Sequence, residues 1–128
     1  MARLEHVNVT VRDPQAFAQM LVDLFDWRIR WQGGAIDSGY SIHVGGDDSY
    51  LALYTGPEGA AGQTPGTSSY RQTGGLNHIG VVVDDLEVAE TRVKTAGFST
   101  HSHADYEPGR RFYFHGPDDI EIEVIAYD

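Results

Sequence analysis

The chain has 128 residues, 41% of them hydrophobic and 22% charged, which fits one packed domain and excludes a disordered or fibrous chain. It contains no cysteine, so disulfides, thiolate metal sites and cysteine nucleophiles are out, and His, Asp and Glu remain as the strong metal ligands. Nine basic against 19 acidic residues give a net charge of −10; that field repels nucleic acid, no apolar run reaches a membrane span of roughly 18–20 residues, and the N-terminus lacks a signal-like apolar segment, so the expected setting is cytoplasmic.

In chain order, Leu4-Glu5-His6-Val7-Asn8-Val9-Thr10-Val11 reads as a strand. Val7, Val9 and Val11 share one face, and His6, Asn8 and Thr10 share the other. Asp13-Pro14 is a helix start, followed by Phe17, Met20, Leu21 and Leu24 at helical spacing. Three short strands are expected next, at about 27–32, 40–44 and 49–54, with Gly33-Gly34 and Gly45-Gly46-Asp47-Asp48 as turns. In the third of these, Leu51 and Leu53 oppose Tyr50, Ala52 and Tyr54. Residues 55–75 hold six glycines and two prolines, either a mobile lid carrying Tyr70 and Arg71 or a plain linker.

The pattern then repeats. Leu76-Asn77-His78-Ile79-Gly80-Val81-Val82-Val83-Asp84-Asp85 matches residues 4–13, and Asp85 opens a helix with Leu86, Ala89, Val93 and Ala96 inward and Gly97 at its end. Strands follow at about 98–103, 111–115 and 120–126, the last with Ile120, Ile122 and Val124 opposite Glu121 and Glu123. The expectation is a single α+β domain over 1–128. It comprises two βαβββ modules, about 1–56 and 75–128, joined by the lid or linker at 57–74. Their curved mixed sheet would surround a metal-centred cavity, because one sheet face collects His, Glu and Tyr.

His6 and His78 occupy the same place in the two repeats, and Glu123 maps near Ala52 in the first. Two imidazoles and one carboxylate suit a divalent cation with open positions for substrate. Asn8, Tyr50, Ala52, Tyr54, Arg71 and Arg111 are candidate pocket residues, and Tyr113 and His115 share a strand face as candidate catalytic groups. His101 and His103 form an H-x-H pair expected on one face of an edge strand. His43 has no evident partner and is expected at the surface; Trp27 and Trp31 are expected in the core, or else at a dimer seam. No GxSxG, P-loop or dinucleotide fingerprint is present.

The paired βαβββ order, "LEHVNVTVRDP", "GLNHIGVVVDDL" and "FYFHGPDDIEIEV" resemble the vicinal-oxygen-chelate superfamily over essentially the whole chain. That group includes glyoxalase I, extradiol dioxygenases, methylmalonyl-CoA epimerase, fosfomycin-resistance and bleomycin-binding proteins. The resemblance implies metal ligands at His6, His78 and Glu123. Glyoxalase I and the epimerase usually carry a Glu or Gln where this chain has Ala52. The three-ligand set instead resembles the extradiol enzymes with Fe(II) or Mn(II) and the fosfomycin-modifying transferases with Mn(II), though the latter normally need several cationic groups that this acidic chain lacks after Glu123; Zn(II), Ni(II) or Co(II) are further options. Tyr113, Pro117 and Glu123 reproduce an extradiol spacing. The resemblance thus implies an extradiol-type dioxygenase acting on a small molecule with adjacent oxygens, and a homodimer. The alternatives it leaves are a glyoxalase-like lyase or isomerase and a metal-free drug- or metabolite-sequestering protein.

Overall fold

The computed structural model describes residues 1–64, 69–106 and 108–127. It divides into two compact units, Met1–Pro65 and Gly66–Asp128, each a βαβββ module. The first runs β1 (His6–Thr10), α1 (Pro14–Phe25), β2 (Arg28–Ala35), β3 (Gly39–Gly45) and β4 (Tyr50–Thr55). The second runs β5 (His78–Val82), α2 (Leu86–Thr95), β6 (Thr100–Tyr106), β7 (Gly109–His115) and β8 (Glu121–Ala126). The α+β expectation therefore holds, with the strands in two four-stranded sheets ordered β1-β4-β3-β2 and β5-β8-β7-β6. The outer pairs β1–β4 and β5–β8 are parallel, while the hairpin pairs are antiparallel.

Both helices start where their caps demand. The Asp13 carboxylate accepts from the Ala16 amide at 3.0 Å, and Asp85 accepts from Val88 at 3.1 Å, each satisfying a free amide of the first turn. Phe17, Ala18, Leu21 and Leu24 bury the inner stripe of α1 on Ile42, Val44, Leu51 and Leu53 of its sheet. Leu86, Ala89 and Val93 of α2 do the same over Phe112, Phe114, Ile122 and Val124. Each fully buried Phe, Leu or Ile contributes roughly 1.5–3 kcal/mol. Since the aliphatic positions face the helix, the alternation of strand side chains leaves His, Tyr, Glu and Arg on the opposite, open face.

Three local expectations are corrected. Gly33 and Gly34 are not a turn but lie within β2, paired with Ser41 and Tyr40. The chain reverses instead at a 3₁₀ turn, Ile36–Ser38, where Asp37 and Ser38 take φ of 57° and 60°. Gly33 has another use, because a Cβ there would sit 2.9 Å from the Trp31 ring; the bare backbone lets the indole lie along the strand. His101 and His103 do not share a face, because a bulge between His101 and Ala104, with Ser102 at φ 57°, breaks the alternation. Ala96 is exposed at the end of α2 rather than buried.

Of the 57–74 segment, residues 65–68 lie outside the described residues. Its flanks are tied down. The Gln63 amide donates to the Val11 carbonyl at 2.8 Å and to Thr55 Oγ1 at 3.2 Å, and Ser69–Arg71 forms a 3₁₀ turn. Among the described residues no helix is long and apolar enough to cross a membrane.

Candidate metal and ligand site

In the second unit, parallel pairing sets His78 opposite Glu121 and Gly80 opposite Glu123. Side chains two apart on a strand share a face, so His78 and Glu123 meet across the ladder with Nε2 and Oε1 3.2 Å apart. Two donors bound to one cation at about 2.1 Å each stand about 3.0–3.4 Å apart, so this spacing suits a shared cation. Each donor is backed by a further polar group. Tyr113 Oη donates to Glu123 Oε1 at 2.9 Å, and Arg111 Nη1 donates to Oε2 at 3.1 Å. Behind the imidazole, His78 Nδ1 lies 3.2 Å from Tyr70 Oη, and that hydroxyl donates to Glu121 Oε1 at 3.0 Å.

Such backing fixes ring orientation and carboxylate rotamer, as outer partners of metal ligands do. Arg111 also neutralises the Glu123 charge, so a cation would share that carboxylate with a guanidinium. The Arg111 and Glu123 side chains keep only 10% and 13% of their exposure. Burial, and then the bond to Glu123, hold the Tyr113 phenol above its usual range, so it stays a donor at neutral pH. Glu121 and Tyr70 were not foreseen as members of this cluster. Alternation with Glu123 carried a signal for Glu121, whereas Tyr70 arrives from the connecting segment.

His115 also lies on the open face, its Nε2 3.8 Å from Glu121 Oε2, stacked on His101 at 5.1 Å. His101 in turn stacks on Tyr113 at 6.2 Å. His103 goes to the other face, where its Nε2 meets Glu90 Oε2 of α2 at 2.6 Å. Arg71 ends the 3₁₀ turn and is exposed.

The first unit keeps the register and changes the chemistry. His6 is opposite Tyr50, and Asn8 opposite Ala52, so Ala52 is the counterpart of Glu123. On the next strand His43 faces Ala52 and Ser41 faces Tyr54, as Tyr113 faces Glu123 and Arg111 faces Ile125. Ser41 is thus the counterpart of Arg111. Ala52 and Ser41 are both 3% exposed, and the Ser41 hydroxyl has no hydrogen-bond partner among the described residues.

His43, half-buried on the open face, does have partners, and Trp31, half exposed, is not a core residue. Both join a row of rings: His6–Tyr50 at 4.9 Å, Tyr50–His43 at 4.5 Å and His43–Trp31 at 4.9 Å between centroids. Burial, and then the nearby His6 and Arg30, hold the His43 imidazole below its ordinary value, so it is neutral at pH 7. His6 Nδ1 lies 2.9 Å from Glu5 Oε1, and Tyr50 Oη donates to the same oxygen at 3.3 Å. Tyr54 stands apart, its hydroxyl donating to the Ile36 carbonyl at 2.8 Å. Among the described residues no three His, Asp or Glu side chains gather into a metal-holding group; the paired donors of the second unit are the nearest approach.

The family model of the Glyoxalase/Bleomycin resistance protein/Dioxygenase superfamily matches residues 3–124. The chain belongs to this superfamily. Among solved structures, it is similar to a glyoxylase/bleomycin resistance protein/dioxygenase domain from Frankia sp. EAN1pec, with 23% identity, a TM-score of 0.80 and coverage of 100% and 99% of the two chains. It is also similar to the fosfomycin resistance protein FosX from Mesorhizobium loti (22%, 0.71, 98% and 91%). A third is TnmS3, an antibiotic binding protein from Streptomyces sp. CB03234 (14%, 0.74, 100% and 98%). No curated protein matches the sequence. At these identities the solved structures establish the fold.

Proposed function

We propose that this superfamily member is a divalent-metal-dependent enzyme acting on a small molecule that offers two adjacent oxygens. His78 and Glu123 would hold the cation, with His6 as the third donor. The observation that carries the reading is the 3.2 Å approach of His78 Nε2 to Glu123 Oε1, each donor backed by its own partners. A bound Fe(II), Mn(II) or similar cation supplies electrostatic stabilisation of an enolate, phenolate or alkoxide. The chain's own residues do the rest. Arg111 and Tyr113 fix the carboxylate rotamer, Tyr70 and Glu121 fix the His78 ring, and His115 stands beside Glu121 as a group able to take or give a proton.

Ala52 at the counterpart of Glu123 leaves three protein donors, which favours extradiol-type dioxygenation over glyoxalase-type isomerisation, since alanine neither binds metal nor accepts a proton. Elemental analysis of protein purified without chelator tests the reading. About one transition metal per chain is expected, lost in His78→Ala and Glu123→Gln, together with oxygen uptake on a catechol. Metal content unchanged in both variants overturns it. A second reading, metal-free sequestration of a flat small molecule, draws support from the Arg111 hold on Glu123 and from the ring row of the first sheet; it predicts ligand binding indifferent to chelator.

A further inference from the structure

The open face of the first sheet carries a row of rings of which the metal reading uses His6 alone. Tyr50, His43 and Trp31 come from three adjacent strands, β4, β3 and β2, and form a continuous row beginning at His6. The His6, Tyr50 and His43 rings are near parallel, with interplanar angles of 13–22°, and Trp31 is tilted 51° against His43. His6 and His43 stand 6.5 Å apart and His43 and Trp31 4.9 Å, so the row bends at Tyr50 and spans no more than about 11 Å from His6 to Trp31. That is the length of two or three fused rings. Trp31 is half exposed, held along its strand because Gly33 has no side chain to displace it.

One cation serves this row. Register slips between Ile29 and Trp31, and Arg30 places its guanidinium 4.7 Å from the centre of the Tyr50 ring. Two anions lie near it among the described residues, and both are already engaged: Glu5 with His6 and Tyr50, and Asp47 with Arg28. A neutral aromatic would need no such cation. An anion without rings would need no such row.

We infer that this shelf is a binding subsite for an extended planar aromatic acid, two or three fused rings bearing a carboxylate or phenolate. The rings would stack on the half-exposed Trp31 and lie against the edges of His43 and Tyr50, whose faces are taken by each other, His6 and Arg30, and the anionic group would meet Arg30. The inference rests on the small-molecule reading above but not on the metal, since Trp31, His43, Tyr50 and Arg30 are not among the proposed donors. It names the substrate class: ring systems wider than a single catechol, engaged through one indole face, the edges of the neighbouring rings and one cation rather than by an apolar pocket.

Equilibrium dialysis tests it with 1-hydroxy-2-naphthoate as probe, against 2-naphthol (rings without the carboxylate) and cyclohexanecarboxylate (carboxylate without rings), each in EDTA and in Mn(II). The naphthoate should bind saturably in EDTA, and both comparison compounds at least about fivefold more weakly. Trp31→Leu should weaken it about tenfold or more, Trp31→Phe should recover most of that loss, and Arg30→Gln should weaken the naphthoate but not 2-naphthol. Equal affinity of parent, Trp31→Leu and Arg30→Gln overturns the shelf, as does equal binding of naphthoate and cyclohexanecarboxylate. A Trp31 surface closed to acrylamide quenching at micromolar protein and opened on dilution assigns the face to a second copy, and overturns it too. Failure of the metal reading looks different: binding in EDTA intact, and no response to Mn(II) in parent or in His78→Ala.

Discussion

Glu123 accepts bonds from a guanidinium and a phenol and has the His78 imidazole 3.2 Å away, so its two oxygens have little freedom to turn. A buried ion pair is weak evidence for stability, but breaking one by removing a single partner strands a charge. Arg111→Met should therefore lower unfolding free energy by about 3 kcal/mol in urea titrations. Saturating Mn(II) or Zn(II) should restore more stability to that variant than to the parent, because a cation can take the vacated place beside Glu123. An equal metal response in both proteins would show that guanidinium and cation do not compete. The repeat pattern made His78 and Glu123 legible as a pair. Arg111 was legible only as a pocket residue, since its partner depends on the β7–β8 register. The partners of His43 were missed although the signal was present: it lies between Ile42 and Val44, two core positions, so it must point to the polar face.

Secondary-structure elements were most legible where one residue fixes a backbone need. Asp13 and Asp85 located both helices because a carboxylate before a helical pattern has amides to satisfy. The bulge in β6 was not legible; nothing in His101-Ser102-His103-Ala104 announces a left-handed Ser102. Its consequence is a clip. His103 turns to α2, where Glu90 accepts from Thr100 and bonds His103 while Lys94 stands 3.6 Å away. Burial raises the Glu90 pKa, but Thr100, His103 and Lys94 outweigh it and hold the carboxyl below its ordinary 4.5. A depressed carboxyl contributes stability above its unfolded value and loses it as pH falls through the folded one. Stability from this clip should therefore decline below about pH 4.5, and Glu90→Gln should flatten that part of the curve in thermal melts at pH 3 to 6. An identical acid limb in parent and variant would remove the clip from the account.

At the scale of the molecule, the duplication was the clearest thing in the sequence, because two ten-residue segments with matching His and Asp have little reason to recur otherwise. What it did not reveal is how far the two copies have parted. Side-chain identity at matched positions follows partners on neighbouring strands, and those partners are set by register rather than by chain order. The second copy holds Arg111 and Glu123 as a buried pair, and the first holds Ser41 and Ala52, both equally buried. Charge is present on both positions or on neither. That pairing constrains ancestry: whichever copy resembles the older form, a history of single changes passes through an intermediate with one buried, unmatched charge. Inheritance at these two sites is therefore epistatic. Ser41→Arg and Ala52→Glu should each destabilise the chain, and the double variant should be more stable than their sum by roughly 1–3 kcal/mol in a double-mutant cycle. If the two effects simply add, the copies diverged site by site, and no valley separated the charged sheet from the aromatic one.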